Sequence, residues 1–360
     1  MNLRIGSENT KIIIRLNCLG EIGDLLGDVA GGPRDVLLIT DVNVAGLFEA
    51  AARESLERTM RSVAIHRIAP GEASKSLESL VAMYDWFAER RASRDSLVLA
   101  LGGGVVSDLA GLAAATWMRG LDYAICPTTL EAMIDAAIGG KTAINRPTGK
   151  NLVGAFHQPL LVGIDPACLK TLDARDVRAG LAESVKHALI ADGSFFEWHE
   201  RRMDSILALD EGAVTELVSR NVAIKRDIVE RDPFERSGDR MVLNFGHTIG
   251  HAIEQRCDYA LRHGECVALG MIGACRVSEA LSMIPAEVVE RVQSVVERAG
   301  LPTRLTAAVD VDQLMDTMMG DKKVRGGAKR FVLLESIGRA VIRDDVPEST
   351  IRAACASIAP

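Results

Sequence analysis

An α/β half followed by a mainly α-helical half is the architecture this sequence predicts. Three observations carry it. Up to about residue 127, short β-branched runs alternate with amphipathic stretches. A glycine triplet, 102–104, closes one of those runs and opens an apolar helix. From about residue 173 the strand signals fade and long helical periodicities take over. Strands separated by helices of such length imply parallel βαβ units, which fixes the class of the first half.

In chain order, IIIRL (12–16), DVLLIT (35–40), SVAIHRI (62–68), SLVLALG (96–102) and YAICP (123–127) read as buried strands. VAGLFEAAARESLERTM (44–60) and SLESLVAMYDWFAERRA (76–92) are the amphipathic helices between them. In parallel sheets ligands bind beyond the C-terminal strand ends. TDVN (40–43), PGEASK (70–75) and GGGVVSD (102–108) occupy those ends. The proline-bounded QPLLVGIDP (158–166) is the expected domain junction, dividing 1–165 from 166–360. Beyond it, DVRAGLAESVKHALIAD (176–192) and GAVTELVSRNVAIKRDIVE (212–230) read as helices.

Bulk properties exclude several functions. A chain of 360 residues is long enough for two full cores. A net charge of −7 argues against nucleic acid as a partner, since phosphate-backbone binding needs a basic face. An anionic small molecule must then be held by a local cation cluster. The N-terminal segment lacks the apolar core of a signal peptide, and no apolar run nears the roughly 18 residues that cross a bilayer. The seven cysteines are scattered and form no C-x-x-C pair. They read as free core thiols in a reducing cytoplasm.

Gly102, Gly103 and Gly104 let backbone N–H groups approach a phosphate at a helix N-terminus, although such a triplet equally serves a tight turn. Thr128 and Thr129 add hydroxyls at the same sheet edge, and Asp41 can accept from a ribose hydroxyl, so a dinucleotide is favoured. In DAAIGGKTAINRPTGKN (135–151), Lys141 and Lys150 sit among glycines and small residues with Asp135, Asn145 and Asn151. An ordinary lysine is a solvated charge; this company points to anion binding.

Three histidines, 247, 251 and 263, fall within 17 residues. His247 and His251 stack on one helix face. Imidazole is the commonest ligand for a divalent transition metal, and three protein ligands with an open position make a catalytic zinc site. Spacing does not decide which three of Glu183, His247, His251, His263 and Glu265 would bind. H-T-I-G-H lacks the glutamate of H-E-x-x-H, which disfavours a zinc peptidase.

These residues sit in segments that resemble the sugar phosphate cyclases, and within them the 3-dehydroquinate synthases. The matching segments are TDVN, PGEASK, GGGVVSDLAG, RGLDYAICPTTL, DAAIGGKTAINRPTGKNLVGAFHQP, CLKTL, GLAESVKHALI, LNFGHTIGHAIE, HGECVALGM and DKKVRGG, in family order from about residue 35 to 330. The resemblance implies an enzyme using NAD+ and one divalent ion, zinc or cobalt. It would convert 3-deoxy-D-arabino-heptulosonate 7-phosphate to 3-dehydroquinate and phosphate. It also implies Glu183, His247 and His263 as metal ligands, with His251 on the substrate side. Asp41, Asn43, Glu72, Lys75, Gly103, Gly104, Val105, Asp108, Thr128, Thr129, Lys141, Lys150 and the segment Cys168, Leu169, Lys170, Thr171 match nucleotide-binding positions. Asp135, Lys141, Lys150, Asn151, Lys186, Lys225, Arg240, Asn244 and His251 match the substrate pocket. Arg119 matches a phosphate contact given by a partner subunit, implying a homodimer, and Lys322 or Lys323 should close over the phosphate.

Sister cyclases act on sedoheptulose 7-phosphate or glucose 6-phosphate, which carry no carboxylate. Arg240 with Lys225 and Asn244 supplies the fixed cations a carboxylate needs, favouring the dehydroquinate branch; amino-dehydroquinate synthases share that carboxylate. EAMIDAAI (131–138) departs from the usual family pattern, as does the segment before residue 34. A metal-dependent polyol dehydrogenase is the more distant alternative, distinguished by net NADH formation. A non-catalytic regulator on the same fold would lack bound metal.

Overall fold

The computed structural model describes residues 1–257, 260–306, 309–320 and 330–359. Two compact units emerge: 1–172 with 214–234, and 173–213 with 235–360.

The first unit is built on a seven-stranded sheet. Its strands are β1 (Asn2–Ile5), β2 (Glu8–Ile14), β3 (Asp35–Asp41), β4 (Ser62–Ile68), β5 (Leu97–Gly102), β6 (Asp122–Pro127) and, after a separate ribbon of β7 (Lys141–Arg146) and β8 (Gly149–Phe156), β9 (Leu161–Ile164). The order is β1-β2-β9-β6-β5-β3-β4, parallel throughout except for the β1–β2 pair. β5 is buried at every position, as an uninterrupted apolar run covered on both faces must be. The helices α1 (Ile22–Ala30), α2 (Val42–Val44), α3 (Ala50–Thr59), α4 (Leu77–Glu89) and α5 (Gly104–Thr116) connect these strands. β4 lies on one side of β3 and β5 on the other. The chain therefore reverses its winding there, and the crevice at such a switch point is where open α/β sheets bind ligands.

The second unit contains α6 (Ala174–Ala191), α7 (Gly193–Leu207), a 3-10 turn (Asp239–Asn244), α9 (His247–Arg256), α10 (His263–Ala280), α11 (Ala286–Arg298), α12 (Val311–Gly320), a hairpin of β10 (Phe331–Ser336) and β11 (Arg339–Arg343), and α13 (Glu348–Ile358). α8 (Glu211–Arg231) falls largely in the first unit. α10 is buried almost all round, which a helix does only at the centre of a bundle. It packs against α6, α9, α11, α13 and β10. The Ser278 hydroxyl in α10 accepts from the Leu334 N–H at 3.0 Å and anchors the hairpin.

The structure departs from the expected organisation in three places. The segment 158–166 is no junction: Leu161–Ile164 is a wholly buried strand between β2 and β6, and its flanking prolines bound the strand. α8, placed by sequence in the helical half, belongs to the first unit, where the Arg4 N–H donates to Glu230 Oε1 at 2.8 Å. The helical half also carries the β10–β11 hairpin. Among the described residues no helix is long and apolar enough to cross a membrane.

Candidate active-site residues and family membership

Local chain geometry explains each candidate at the sheet edge of the first unit. Asp41 ends β3, and its Oδ1 accepts from the N–H groups of Asn43 and Val44 at 2.9 and 3.0 Å, capping the turn that exposes Asn43. Gly103 precedes α5, and Gly104, Val105 and Asp108 fall within the first turns of that helix. None of the triplet has a positive φ. What they need is room: a Cβ at Gly102 would lie 2.7 Å from Val106 Cγ2, and one at Gly103 3.1 Å from Thr129 Cγ2. Thr128, buried after β6, donates its N–H to Gly102 O at 3.0 Å, so the two strand ends are tied together. Cys168, Leu169, Lys170 and Thr171 form a 3-10 turn, with the first two buried and the last two exposed.

Beside this edge the loop 70–75 and the β7–β8 ribbon are joined by polar contacts. Lys75 is 5% exposed; its Nζ pairs with Asp108 and donates to Asn151 Oδ1 at 2.5 Å. Asn145 Nδ2 donates to Glu72 Oε1 at 2.7 Å, and Asn145 Oδ1 accepts from the Asn151 N–H at 3.0 Å. Asn151 holds a left-handed φ of 55°, a strained value that these bonds maintain. Burial raises the Asp108 carboxyl above its usual range, and the Lys75 ammonium opposes that rise. Asp135, in the atypical 131–138 segment, lies on a π-helical turn and accepts from Lys225 Nζ at 2.5 Å. Lys141 is exposed and Lys150 half-buried on the ribbon.

In the second unit, His247 opens α9 and His263 opens α10, while Glu183 and Lys186 lie one turn apart on α6. Glu183 is fully buried. Its Oε2 pairs with Lys186, and its Oε1 lies 3.5 Å from His247 Nε2 and 3.8 Å from His263 Nε2. Two ligands of a tetrahedral zinc ion, each about 2.1 Å from it, sit about 3.4 Å apart. The carboxylate and two imidazoles are thus spaced to share one ion. Burial drives the His247 pKa down to about 3, so the ring is neutral and can act as a ligand. Its Nδ1 faces the Phe245 carbonyl at 3.2 Å, which leaves Nε2 as the lone-pair nitrogen facing Glu183.

His251 is exposed one turn beyond His247, with ring centroids 5.1 Å apart. Ligand nitrogens of His247, His251 and His263 all lie within 4.8 Å of one another, so His251 borders the same site. Glu265 leaves the candidate ligand list. Both its oxygens bind the Arg175 guanidinium, at 2.7 and 2.8 Å, and one also accepts from the Arg262 N–H at 2.9 Å. That hydrogen bonding with Arg175 holds its carboxyl below the usual range. Arg240, 1% exposed, and Asn244 occupy the 3-10 turn leading into α9.

The histidines converge because α6, α9 and α10 approach closely. A Cβ at Gly264 would lie 1.9 Å from the Ala179 carbonyl oxygen, and one at Gly270 2.0 Å from that of Gly246. Only glycine permits backbone contact at those two points.

Residues 65–179 match the family model 3-dehydroquinate synthase N-terminal, and 180–324 match 3-dehydroquinate synthase C-terminal. The chain belongs to the 3-dehydroquinate synthase family. A 3-dehydroquinate synthase of Nostoc punctiforme is 41% identical over 355 residues, covering 98% of this chain and 97% of that one. A 3-dehydroquinate synthase of Desulforamulus reducens is 43% identical over 350 residues, 97% of each chain. A solved 2-epi-5-epi-valiolone synthase of Streptomyces hygroscopicus, with NAD+ and Zn2+ bound, superposes with a TM-score of 0.90 at 29% identity, covering 99% of this chain and 98% of that one.

For this member of the synthase family, the two sets of candidates divide by unit. Asp41 through Thr171, with Asp135, Lys141, Lys150, Asn151 and Lys225, belong to the first; Glu183, Lys186, Arg240, Asn244, His247, His251 and His263 to the second. Lys322 and Lys323 lie outside the described residues. Sequence reasoning missed Glu254, Arg175 and the bridging role of Asn145. Glu254 had a visible signal, since it continues the helix face of His247 and His251.

Proposed function

We propose that this chain is a 3-dehydroquinate synthase, converting 3-deoxy-D-arabino-heptulosonate 7-phosphate to 3-dehydroquinate and inorganic phosphate. The observation that carries the reading is the donor set of Glu183, His247 and His263 in a unit that also buries Lys186 and Arg240. A guanidinium and an ammonium held away from water suit a substrate bearing both carboxylate and phosphate. When bound, NAD+ would take a hydride from a substrate carbon and later return it. A divalent ion, zinc or cobalt, would lower the pKa of the hydroxyl on that carbon, so that the hydroxyl gives up its proton as the C–H gives up the hydride. The nicotinamide is regenerated each turnover, so the net reaction is elimination and cyclisation.

Within that reaction Glu183, His247 and His263 would hold the ion, and Lys186, Arg240 and Asn244 the anionic substrate. His251, exposed beside the donor set, would contact substrate, as would Asp135, Lys141, Asn151 and Lys225 in the first unit. Lys322 or Lys323 would close over the phosphate. Asp41, Asn43, Glu72, Lys75, Gly103, Gly104, Val105, Asp108, Thr128, Thr129, Lys150 and the turn Cys168–Thr171 would bind the dinucleotide. Arg119 would reach a partner's site in a cytoplasmic homodimer. Met118, Arg119 and Gly120 all have positive φ, a strained turn that holds Arg119 at the surface.

The purified protein, given NAD+ and Zn2+ or Co2+, should release phosphate from the heptulosonate phosphate with no net absorbance change at 340 nm. Release from sedoheptulose 7-phosphate alone would overturn the branch, and steady NADH accumulation would favour a polyol dehydrogenase.

A further inference from the structure

His263 has two nitrogens in use. Its Nε2 faces Glu183, while its Nδ1 lies 3.5 Å from Glu254 Oε2. Glu254 stands on α9 seven residues after His247 and three after His251, so all three share one helix face. Its side chain is only 7% exposed. A carboxylate placed there is costly unless a donor meets it. Inside that face, a solvated role is not available to it.

His247 is oriented by a different acceptor, the neutral Phe245 carbonyl at 3.2 Å from Nδ1. Both rings thus turn Nδ1 toward an oxygen and Nε2 toward the same Glu183 atom. A ring that keeps its proton on Nδ1 presents an unprotonated Nε2, the form a cation needs. A carboxylate acceptor does this more strongly than a carbonyl, because the hydrogen bond is charge-assisted and adds electron density to the ring.

We propose that Glu254 is a positioning residue: its carboxylate takes the Nδ1–H of His263 and sets Nε2 as a basic ligand for a divalent transition-metal ion. The proposal rests on the reading of Glu183, His247 and His263 as donors to one ion. It makes the two imidazoles unequal, with His263 the stronger donor. Removing the carboxylate should weaken the ion without removing any ligand.

The test uses the full-length protein, stripped by chelator and titrated with Co2+ against a chromophoric competitor. Wild type should bind one ion per chain. Glu254→Gln keeps volume and an acceptor but loses the charge, and should bind on the order of 10-fold more weakly; Glu254→Ala should bind up to about 100-fold more weakly. Imidazole 15N shifts in the metal-free protein should show the Nδ1-protonated tautomer at His263 in wild type and a mixture in Glu254→Ala. Should the alanine variant fail to fold, the glutamine variant carries the comparison. Wild-type Co2+ affinity and an unchanged tautomer in the folded variants would overturn the positioning role. Failure of wild type itself to bind Co2+ or Zn2+ would instead overturn the donor reading beneath it.

Discussion

At the level of single residues, the metal candidates show what spacing can and cannot reveal. His247 and His251 were legible because four residues is one helical turn, and His263 because it follows closely. Glu183 lies more than sixty residues upstream on another helix, so local spacing could not pair it with them; the segment GLAESVKHALI did. Glu265, two residues after His263 in sequence, is turned away by Arg175. Glycine permits the close backbone approach that brings the candidate donors together. Gly264→Ala would press a methyl into the Ala179 carbonyl, and overpacking of that kind costs about 1–3 kcal/mol or more. Its melting temperature should fall by several degrees and its Co2+ affinity should drop with it. Gly20→Ala, where nothing lies within 4 Å of the new atom, should leave both unchanged and serves as the control. Equal melting temperatures for the two variants would show that the close approach of α6 and α10 is not a constraint.

Among elements, the strands of the sheet were the most legible, since SVAIHRI coincides with β4 and DVLLIT with all but the last residue of β3. The miss at 158–166 has a plain cause. Four apolar residues between two prolines carry too little periodicity to separate a short buried strand from a linker. The β7–β8 ribbon escaped for another reason: its outer positions are exposed, and glycines interrupt its alternation. Polar side chains stitch that ribbon to the loop 70–75, and Asn145 is the shared member. Asn145→Ala removes two hydrogen bonds, so the ribbon should lose about 1–2 kcal/mol of local stability. Amide exchange across 141–156 should then quicken by roughly tenfold, with NAD+ binding weakened and Co2+ binding unchanged. Unchanged exchange in the ribbon would mean that Asn145 is a bystander.

For the whole molecule, the expectation of reduced core thiols can be checked in one experiment. Six of the seven cysteines are buried, and Cys257 is half-buried. Burial pushes the thiols of Cys18, Cys168 and Cys275 up to about 12 and that of Cys355 to about 11. Thiolate, not thiol, is the nucleophile, so these positions should resist iodoacetamide at pH 7.5. Mass spectrometry of the native protein should find Cys257 alkylated first, and all seven after denaturation. Rapid labelling of Cys18 or Cys275 in the native state would contradict the burial described.

The interleaving of the two units bears on how the protein can be divided. The chain passes from one unit to the other three times, after 172, 213 and 234. Neither unit is therefore a contiguous fragment. A protein cut after residue 172 would lose α8, and with it the lysine that meets Asp135; the remainder would carry α8 with its burying partner gone. Splitting, swapping or grafting this catalyst by halves requires moving α8 with the first half, or rewiring the chain ends so that it follows β9.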